Sequence, residues 1–270
     1  MIVTIFGANG NLSVRITRLL LQKPNLSVRG YARNISKIPE DIRNHQQYEA
    51  IQSEVTDEEK IRGAVRSADV IVCQYQGFDG MNPPLLSPAR VTLTNNAPSV
   101  VLDGQKRLID ICEEEKVGRF FSSAFVGDIR GMKVGQHERM ILTLQIFQYL
   151  ETKKLRSVHL MCGAFIETWL EYSGVIDLDT NTVSCWGTGD EIWDLTSYDD
   201  SIAYTAEAIP DKSADGANGV MLTKDPLDNS RYPHIKPQTV EEFMKTHDLT
   251  RPENLQAPNS KSARVEALGK

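Results

Sequence analysis

The sequence has few cysteines, and nothing in their arrangement suggests a metal centre or a disulfide framework. They are Cys73, Cys112, Cys162 and Cys185. No CxxC pair occurs, and the histidines also lack the spacing of metal ligands. Because each cysteine lies in or near an apolar run, we expect reduced thiols in the core. The sequence therefore predicts no metal site.

Long apolar runs and long basic blocks are also missing. No stretch approaches the ~20 apolar residues that a membrane-spanning helix needs. The net charge of -6 argues weakly against DNA or anionic membranes as the main partner. The first residues form a strand-like run without the features of a signal peptide. We therefore expect a cytoplasmic protein whose partner is a small molecule rather than nucleic acid or a membrane.

Short apolar runs alternate with runs of helical periodicity through the first half of the chain. We expect strands at 2–6, 26–33, 48–55, 68–75, 118–125 and 157–165. We expect helices at 12–22, 57–67, 99–117, 137–154, 199–209 and 239–247. This order predicts an α/β fold, a doubly wound parallel (Rossmann) sheet with a smaller C-terminal substrate region.

The predicted elements divide the chain into three parts. Residues 1–156 form the Rossmann domain, and residues 157–250 add a C-terminal strand and substrate-facing elements. Residues 251–270 are polar and poor in large apolar side chains, so we expect disorder there. In the helix at 199–209, we expect Asp199 or Asp200 to be the N-cap.

The stretch "FGANGNLSVR" joins the first strand to the first helix. A helix N-terminus attracts phosphate through unpaired N–H groups, and glycine lets the backbone approach the ligand closely. The predicted cofactor contacts in this loop are Gly7, Asn9, Gly10, Asn11 and Leu12. Ser13 stands where a third glycine would favour close packing of helix and strand. The alternative is a tight turn with no ligand.

The end of the second strand reads "RGYARN" and carries no acidic residue. An acid at this place binds the ribose 2′-hydroxyl of NAD, whereas arginine suits a 2′-phosphate. Arg33, with Asn34 beside it, therefore predicts NADP(H) as the cofactor. The alternative is a solvent-exposed arginine at a strand end.

Other candidates for chemistry follow the fifth strand. Ser122 and Ser123 end that strand; Ser122 is predicted to contact the cofactor, with strand termination as the alternative. Lys133 and His137 are candidates for a catalytic proton donor, with a solvated charge and a cap or surface residue as alternatives. "YLETK" has Tyr-x-x-x-Lys spacing, but Tyr149 fits the apolar helix face and is interpreted as core.

Two aromatic residues follow the predicted strand at 157–165. Phe165 and Trp169 lie within "GAFIETW", close to the carboxyl end of that strand. Such residues line a hydrophobic pocket or belong to the core, and both interpretations stay open.

Several segments together resemble the NmrA-like branch of atypical short-chain dehydrogenases, which is related to isoflavone-reductase-like proteins. They are "IFGANGNL", "YARN", "VTDEEKIRGAVRSADVIVC", "LDGQKRLIDICEEEKVGRFFSSAF", "GAFIETW", "CWGTGDEIWDLTSYDDSIAYTAEAI" and "TVEEFMKTH". The resemblance covers roughly residues 2 to 248. It implies an NADP-binding Rossmann domain with a smaller substrate domain. Members include reductases, non-redox isomerases and cyclases, and regulators that only sense the cofactor.

The chain departs from the family pattern at three places. Ser13 replaces a glycine, and Thr143 stands at the position matching the catalytic lysine of isoflavone-reductase-like enzymes. The match also fades after about residue 250, where members continue with helices that help close the pocket. A neutral threonine hydroxyl is no general acid at neutral pH.

These departures leave three interpretations. The leading one is an NADP(H)-dependent oxidoreductase that reduces a small hydrophobic carbonyl or alkene metabolite. The alternatives are a non-catalytic NADP(H)-sensing regulator with a protein partner, and a non-redox isomerase or cyclase of secondary metabolism.

Overall fold

The apolar runs of the first half become the strands of one parallel sheet. In this computed structural model, the chain is described at residues 1–75, 98–136, 140–172, 176–177, 180, 182–184, 187–215, 220–221 and 228–247. The sheet strands are β1 (Ile2–Phe6), β2 (Ser27–Ala32), β3 (Tyr48–Gln52), β4 (Val70–Cys73), β5 (Arg119–Val126), β6 (Arg156–Met161) and β11 (Val220–Met221). Their order is β11-β6-β5-β4-β1-β2-β3, and the strand pairs are parallel. The predicted doubly wound sheet is confirmed.

Helices cover both faces of this sheet. The α-helices of the described residues are α1 (Asn11–Leu21), α2 (Glu40–Arg43), α3 (Glu58–Val65), α4 (Gln105–Glu114), α5 (Ile141–Glu151), α6 (Ile166–Tyr172), α7 (Tyr198–Ala208) and α8 (Val240–Thr246). One apolar cluster joins α1 and α7 to the sheet, and a second joins α3, α4 and α5 to the opposite face. Burial of Leu12, Ile16 and Leu20 follows the predicted apolar stripe of α1.

The strand order places a topological switch point between β1 and β4. β1 pairs with β2 on one side and with β4 on the other, so the connections leave the sheet in opposite directions. In open α/β sheets, this arrangement opens a crevice beyond the carboxyl ends of the two strands, where ligands bind. The first glycine loop follows β1 and therefore lies at this crevice.

The strand predicted at 157–165 divides into two strands, which corrects that prediction. β6 ends at Met161, and β7 (Ala164–Phe165) pairs instead with β10 (Leu195–Thr196) in a separate sheet. Gly163 turns the chain with φ +74, and a Cβ there would lie 2.1 Å from the carbonyl oxygen of Asp194. Only glycine fits this close approach. A further pair joins β8 (Ile176–Asp177) and β9 (Thr182–Val183).

The predicted N-cap of α7 is also wrong. Ser197 has extended backbone geometry, and its hydroxyl accepts the Asp200 N–H, so Ser197 is the N-cap. Asp199 and Asp200 instead occupy the first turn, where their charge favours the helix N-terminus. At the other end of α7, the buried guanidinium of Arg119 donates to the carbonyl of Ala208 at 3.2 Å.

Other predicted elements differ in extent. The helix expected at 99–117 consists of a π-helical segment, Pro98–Gly104, followed by α4. The helix expected at 137–154 begins at Ile141 as α5, while residues 137–139 lie outside the described residues. Thr239 caps α8 with a complete capping box. The segment at 251–270 lies outside the described residues.

The described residues contain buried thiols and no membrane-spanning helix. Cys73, Cys112 and Cys162 are buried and free, as expected, while Cys185 lies outside the description. Within the described ranges, no helix has the length and apolar character needed to cross a bilayer.

Candidate functional site

The glycine loop after β1 has a backbone shape that a side chain would prevent. Gly7 has φ +83, and a Cβ there would lie 2.8 Å from the carbonyl oxygen of Gln74. The N–H groups of Gly7 and Ala8 donate to the carbonyl of Tyr31 at 2.9 and 3.1 Å. The loop is thus held against the ends of β2 and β4, with glycine required at its first position.

The first turn of α1 offers backbone N–H groups to a ligand. Gly10 is the N-cap with extended geometry, and no side chain caps the helix. The first helical bond runs from the Val14 N–H to the Gly10 carbonyl at 2.9 Å, so earlier amides lack helical partners. Among the described residues, the buried Oδ1 of Asn11 also has no hydrogen-bond partner. The unpaired N–H groups suit an anion such as a pyrophosphate, whereas the Asn11 oxygen, which is an acceptor, suits a hydroxyl group of the same ligand.

Ser13 compensates for the missing third glycine. Its side chain is fully buried, and its hydroxyl donates to the Gly7 carbonyl at 2.8 Å. The Gly10 N–H donates to the same carbonyl at 3.0 Å. The serine therefore ties the helix to the loop and leaves the first-turn amides of the helix unobstructed.

The carboxyl end of β2 presents positive charge beside this loop. Arg33 directly follows β2, is exposed, and forms no ion pair with a described residue. The Asn34 Oδ1 accepts from the Ser36 N–H at 2.9 Å and begins a 3-10 turn over Ile35–Lys37. Lys37 is exposed in that turn and adds a second cation. The pattern at the strand end predicted Arg33, whereas Lys37 becomes apparent only once the turn is seen.

Ser122 faces the sheet interior on the α5 side. Its Oγ lies 2.6 Å from the Nδ1 of His159, and both residues are buried. Burial lowers the pKa of His159 to about 4, so the imidazole is neutral near pH 7. The ring of Phe147 lies 3.8 Å from the imidazole, centroid to centroid. The cofactor contact predicted for Ser122 from the sequence stays a prediction, and it would compete with this hydrogen bond to His159. The Ser123 side chain lies outside the description.

The candidate proton donors are only partly described. Lys133 is exposed in the loop after β5, where its backbone N–H donates to the Oε1 of Gln136 at 2.6 Å. His137 lies outside the described residues. Thr143 is half-buried in the first turn of α5. The catalytic roles of Lys133 and His137 stay predictions.

Tyr149 packs as the core interpretation expects, with a polar tip. The half-buried ring contacts the α3–α5 apolar cluster, and its hydroxyl donates to the Oδ1 of Asp110 at 2.6 Å. Lys153 forms an ion pair with the same carboxylate at 2.6 Å. Its Nζ lies 4.7 Å from the Tyr149 ring centroid. Tyr149 and Lys153, which have the Tyr-x-x-x-Lys spacing, therefore form a cluster with Asp110 at the C-terminal end of α5.

An aromatic wall lies at the carboxyl end of β5; we define it as Phe125, Phe165 and Tyr198. The Phe165 ring centroid is 6.2 Å from Phe125 and 4.4 Å from Tyr198. These half-buried rings pack against the α1–α7 apolar cluster. Trp169 packs around α6 and α8 and lies 5.9 Å from Trp193. Phe165 thus belongs to a partly open wall, whereas Trp169 packs in a satellite cluster.

Glu167 lies buried behind the aromatic wall, and the sequence analysis missed it. Its two carboxylate oxygens lie 2.9 and 3.1 Å from the backbone nitrogen of Tyr198. Burial raises the pKa of Glu167 to about 7. No sequence signal marks this residue, because its burial depends on the docking of β7 and α6 against α7.

The sequence matches a family model described as NAD(P)H-binding over residues 7–205. A search among curated proteins found no match. The matched region begins at the glycine loop, directly after β1, and includes strands β2 to β6 of the central sheet and most of α7.

Solved structures with the same fold include several reductases. An isoflavone reductase is 15% identical with a TM-score of 0.66, and the match covers 91% of this chain and 98% of that chain. AtPrR2 with NADP+ and (+)pinoresinol is 20% identical, with a TM-score of 0.57 and coverage of 79% and 67%. The NADPH-dependent quinone oxidoreductase QOR2 from Escherichia coli, complexed with NADPH, is 16% identical, with a TM-score of 0.56 and coverage of 78% and 65%.

These similarities and the loop geometry agree. The fold is that of isoflavone-reductase-like NAD(P)-binding proteins, and the predicted nicotinamide dinucleotide cofactor is confirmed at the level of NAD(P)H binding. The orphaned Asn11 oxygen, the uncapped start of α1 and the glycine-only turn at Gly7 all fit such a cofactor. The chain therefore belongs to the NAD(P)H-binding family.

Proposed function

We propose that this protein is an NmrA-like, cytoplasmic oxidoreductase that uses NADP(H) to reduce a small hydrophobic carbonyl or alkene metabolite. The observation that carries the cofactor choice is Arg33, an exposed guanidinium directly after β2 where NAD-binding sites have an acid. Lys37 supports it with a second positive charge in the following turn. AtPrR2 and QOR2 were solved with NADP+ and NADPH, which favours the same choice here.

In such a reaction, different residues of the chain would bind the cofactor and the substrate. The first turn of α1 would hold the pyrophosphate, and Arg33 would hold the 2′-phosphate by charge-assisted hydrogen bonds. NADPH, when bound, supplies a hydride. The aromatic wall offers an apolar surface for the substrate and excludes water from its vicinity. Fixing cofactor and substrate in one geometry supplies much of the rate by proximity.

Thr143 favours a second candidate function. It stands where the related isoflavone-reductase-like enzymes carry a catalytic lysine, and a threonine hydroxyl stays neutral and protonated at pH 7. A chain that keeps the cofactor cradle but lacks this cation suits a non-catalytic sensor, in which NADP(H) occupancy changes a protein interface. The third alternative, a non-redox isomerase or cyclase, would keep the cofactor as a scaffold.

Titration calorimetry tests the cofactor choice. Wild-type protein should bind NADPH more tightly than NADH, and Arg33→Ala should weaken NADPH by about tenfold or more while leaving NADH nearly unchanged. Arg130→Ala is the matched control, because Arg130 is an exposed arginine that pairs with Asp128 on the loop after β5. Equal losses for NADPH and NADH would contradict the assignment of Arg33.

Turnover separates the three functions. Purified protein with NADPH and a panel of carbonyl and enone substrates should show loss of NADPH absorbance if it is a reductase. Binding of NADPH without turnover of any substrate would support the sensor. A product with the mass of its substrate would identify an isomerase or cyclase.

A further inference from the structure

Gln74 is a buried polar residue at the switch point that the sequence analysis did not single out. It directly follows β4 and is 8% exposed. Its backbone N–H donates to the Phe6 carbonyl at 2.8 Å, which fixes the residue beside the end of β1. In the part of the chain that the structure describes, its carboxamide has no hydrogen-bond partner. The residue is largely buried, and its carboxamide is available to a ligand that enters the crevice.

The Gln74 side chain starts on the α1 face of the sheet, next to the glycine loop. Side chains alternate along a strand, and Val72 packs in the α1–α7 cluster whereas Cys73 packs in the α3–α5 cluster. Alternation then places Gln74 on the same face as Val72. Its Cβ lies 3.4 Å from the position that a Cβ on Gly7 would occupy. The unpaired carboxamide thus begins at the crevice where a ligand held by the loop must pass.

The strand order indicates which half of a dinucleotide would meet Gln74. β1 carries the glycine loop and lies between β2 and β4. Arg33 follows β2 and is assigned to the 2′-phosphate of the adenosine half, so the other half extends across β4. A carboxamide carries both a donor and an acceptor, which matches two neighbouring hydroxyl groups.

We propose that the Gln74 carboxamide hydrogen-bonds the hydroxyls of the nicotinamide ribose and thereby positions the reacting half of the cofactor. Its NH₂ donates to one hydroxyl, and its oxygen accepts from the other. This assignment rests on the proposed function, since it requires NADP(H) at the loop. It makes Gln74 a residue that distinguishes an intact dinucleotide from the adenosine half alone.

The test compares two probes on two variants by titration calorimetry. Gln74→Met keeps the length of the side chain and removes the donor and acceptor. We expect NADPH affinity to fall by about five- to tenfold, with the affinity for adenosine 2′,5′-bisphosphate changed by less than about twofold. Gln105→Met is the matched control: Gln105 is 1% exposed, and its amide donates to the Val101 carbonyl at 3.2 Å. That variant should leave the ratio of the two affinities unchanged.

Each outcome separates this inference from the proposed function. Failure of wild-type protein to bind either probe would overturn the proposed function itself. If wild-type protein binds both, an equal loss for both probes in Gln74→Met, or no loss, would overturn the role of Gln74 alone.

A measurement on wild-type protein covers the case in which Gln74→Met fails to fold. An NADPH analogue lacking the 2′-hydroxyl of the nicotinamide ribose should bind several-fold more weakly than NADPH. Equal binding of the analogue and NADPH would contradict the proposed hydrogen bonds. If Gln74→Met folds, it should bind NADPH and the analogue equally well, because the hydrogen-bonding group on the protein is then absent. Comparing both proteins with both ligands forms a double-mutant cycle that measures the coupling between the carboxamide and the hydroxyl.

Discussion

Polar groups at two places near the carboxyl edge of the central sheet differ in whether the described chain supplies their hydrogen-bond partners. At the β1–β4 side, the Asn11 Oδ1 and the Gln74 carboxamide have no partners among the described residues. Toward β5 and β6, Ser122 pairs with His159, and Glu167 accepts the backbone N–H of Tyr198. Leaving the buried Asn11 Oδ1 unpaired costs about 1–3 kcal/mol, which a ligand that donates a hydrogen bond there would offset.

This difference separates residues that serve binding from residues that serve stability. A change on the β1–β4 side should alter ligand affinity, because the ligand completes the hydrogen bonds there. A change near Ser122 or Glu167 should alter the free energy of unfolding, because the chain already completes those bonds. The following predictions test this division, beginning with the largest expected effect.

Gly7→Val should abolish the dinucleotide cradle. A β-branched residue is strained at φ +83, and its Cβ would lie 2.8 Å from the Gln74 carbonyl oxygen. We expect NADPH affinity to fall by about a hundredfold or more, since relieving roughly 3 kcal/mol of strain displaces the loop. Calorimetry gives the affinity.

Gly63→Ala is the control for this substitution. A Cβ at this α3 position meets no atom within 4 Å. The variant should therefore gain about 0.5–1 kcal/mol of stability through helix propensity, with unchanged NADPH affinity. Normal NADPH binding by Gly7→Val would show that the loop is not the binding element.

Ser122→Ala should lower stability and leave binding intact. Removing the hydroxyl leaves the buried His159 Nδ1 without its partner at 2.6 Å. We expect the free energy of unfolding to fall by about 1–3 kcal/mol in a urea titration, with NADPH affinity within about twofold of wild type. Ser157→Ala is the matched change, and its effect should be smaller because that hydroxyl lies 3.5 Å from the Nε2 of His159. A tenfold loss of NADPH affinity in Ser122→Ala would instead support the predicted cofactor contact.

Glu167 should make stability depend on pH. Burial raises its pKa from 4.5 to about 7, so the folded chain keeps a proton that the unfolded chain loses above about pH 4.5. Its contribution is full below about pH 4.5 and is lost as the pH rises through 7. Relative to Glu167→Gln, wild-type protein should therefore lose about 2 kcal/mol of unfolding free energy between about pH 5 and about pH 8.

Urea titrations at the two pH values measure this change. Glu241→Gln, at an exposed position of α8, serves as the control and should show no such dependence. Parallel pH profiles for wild-type protein and Glu167→Gln would contradict the buried, protonated state of Glu167.

Lys153→Met should have the smallest effect. Lys153 pairs with Asp110 and lies over the Tyr149 ring near the end of α5. Its loss should cost at most about 1 kcal/mol, as for other partly exposed ion pairs, without changing NADPH affinity or turnover. Lys106→Met, whose Nζ lies 5.2 Å from the same ring, is the matched control. A selective loss of turnover in Lys153→Met would instead indicate that Tyr149 and Lys153 act as a catalytic Tyr-x-x-x-Lys pair.

Local patterns predicted much of the fold and the cofactor loop. Apolar periodicity located the strands and main helices, and the glycines at 7 and 10 indicated the loop that we propose holds the pyrophosphate, because these signals depend on neighbouring residues. The choice of Arg33 as a candidate contact for the 2′-phosphate followed from its place at the end of the second strand. The match to the NAD(P)H-binding family agrees with this local evidence.

The remaining features depend on contacts between distant segments. The split between β6 and β7 requires the approach of Asp194 to Gly163, which no local pattern reveals. The partner of Ser122 lies 37 residues away on β6. Gln74 becomes noticeable only when its burial and missing partner are seen together. Tertiary packing, rather than periodicity, determines these features.

Ligand-induced stabilisation of three proteins tests the central claim most directly. Urea denaturation of wild type, Ser122→Ala and Gly7→Val should be followed with and without NADPH. Ligand at a hundred times its Kd should add about 2.7 kcal/mol to the unfolding free energy of wild type and Ser122→Ala alike, and far less to Gly7→Val. Absence of stabilisation in wild type, or its loss in Ser122→Ala with retention in Gly7→Val, would contradict the account.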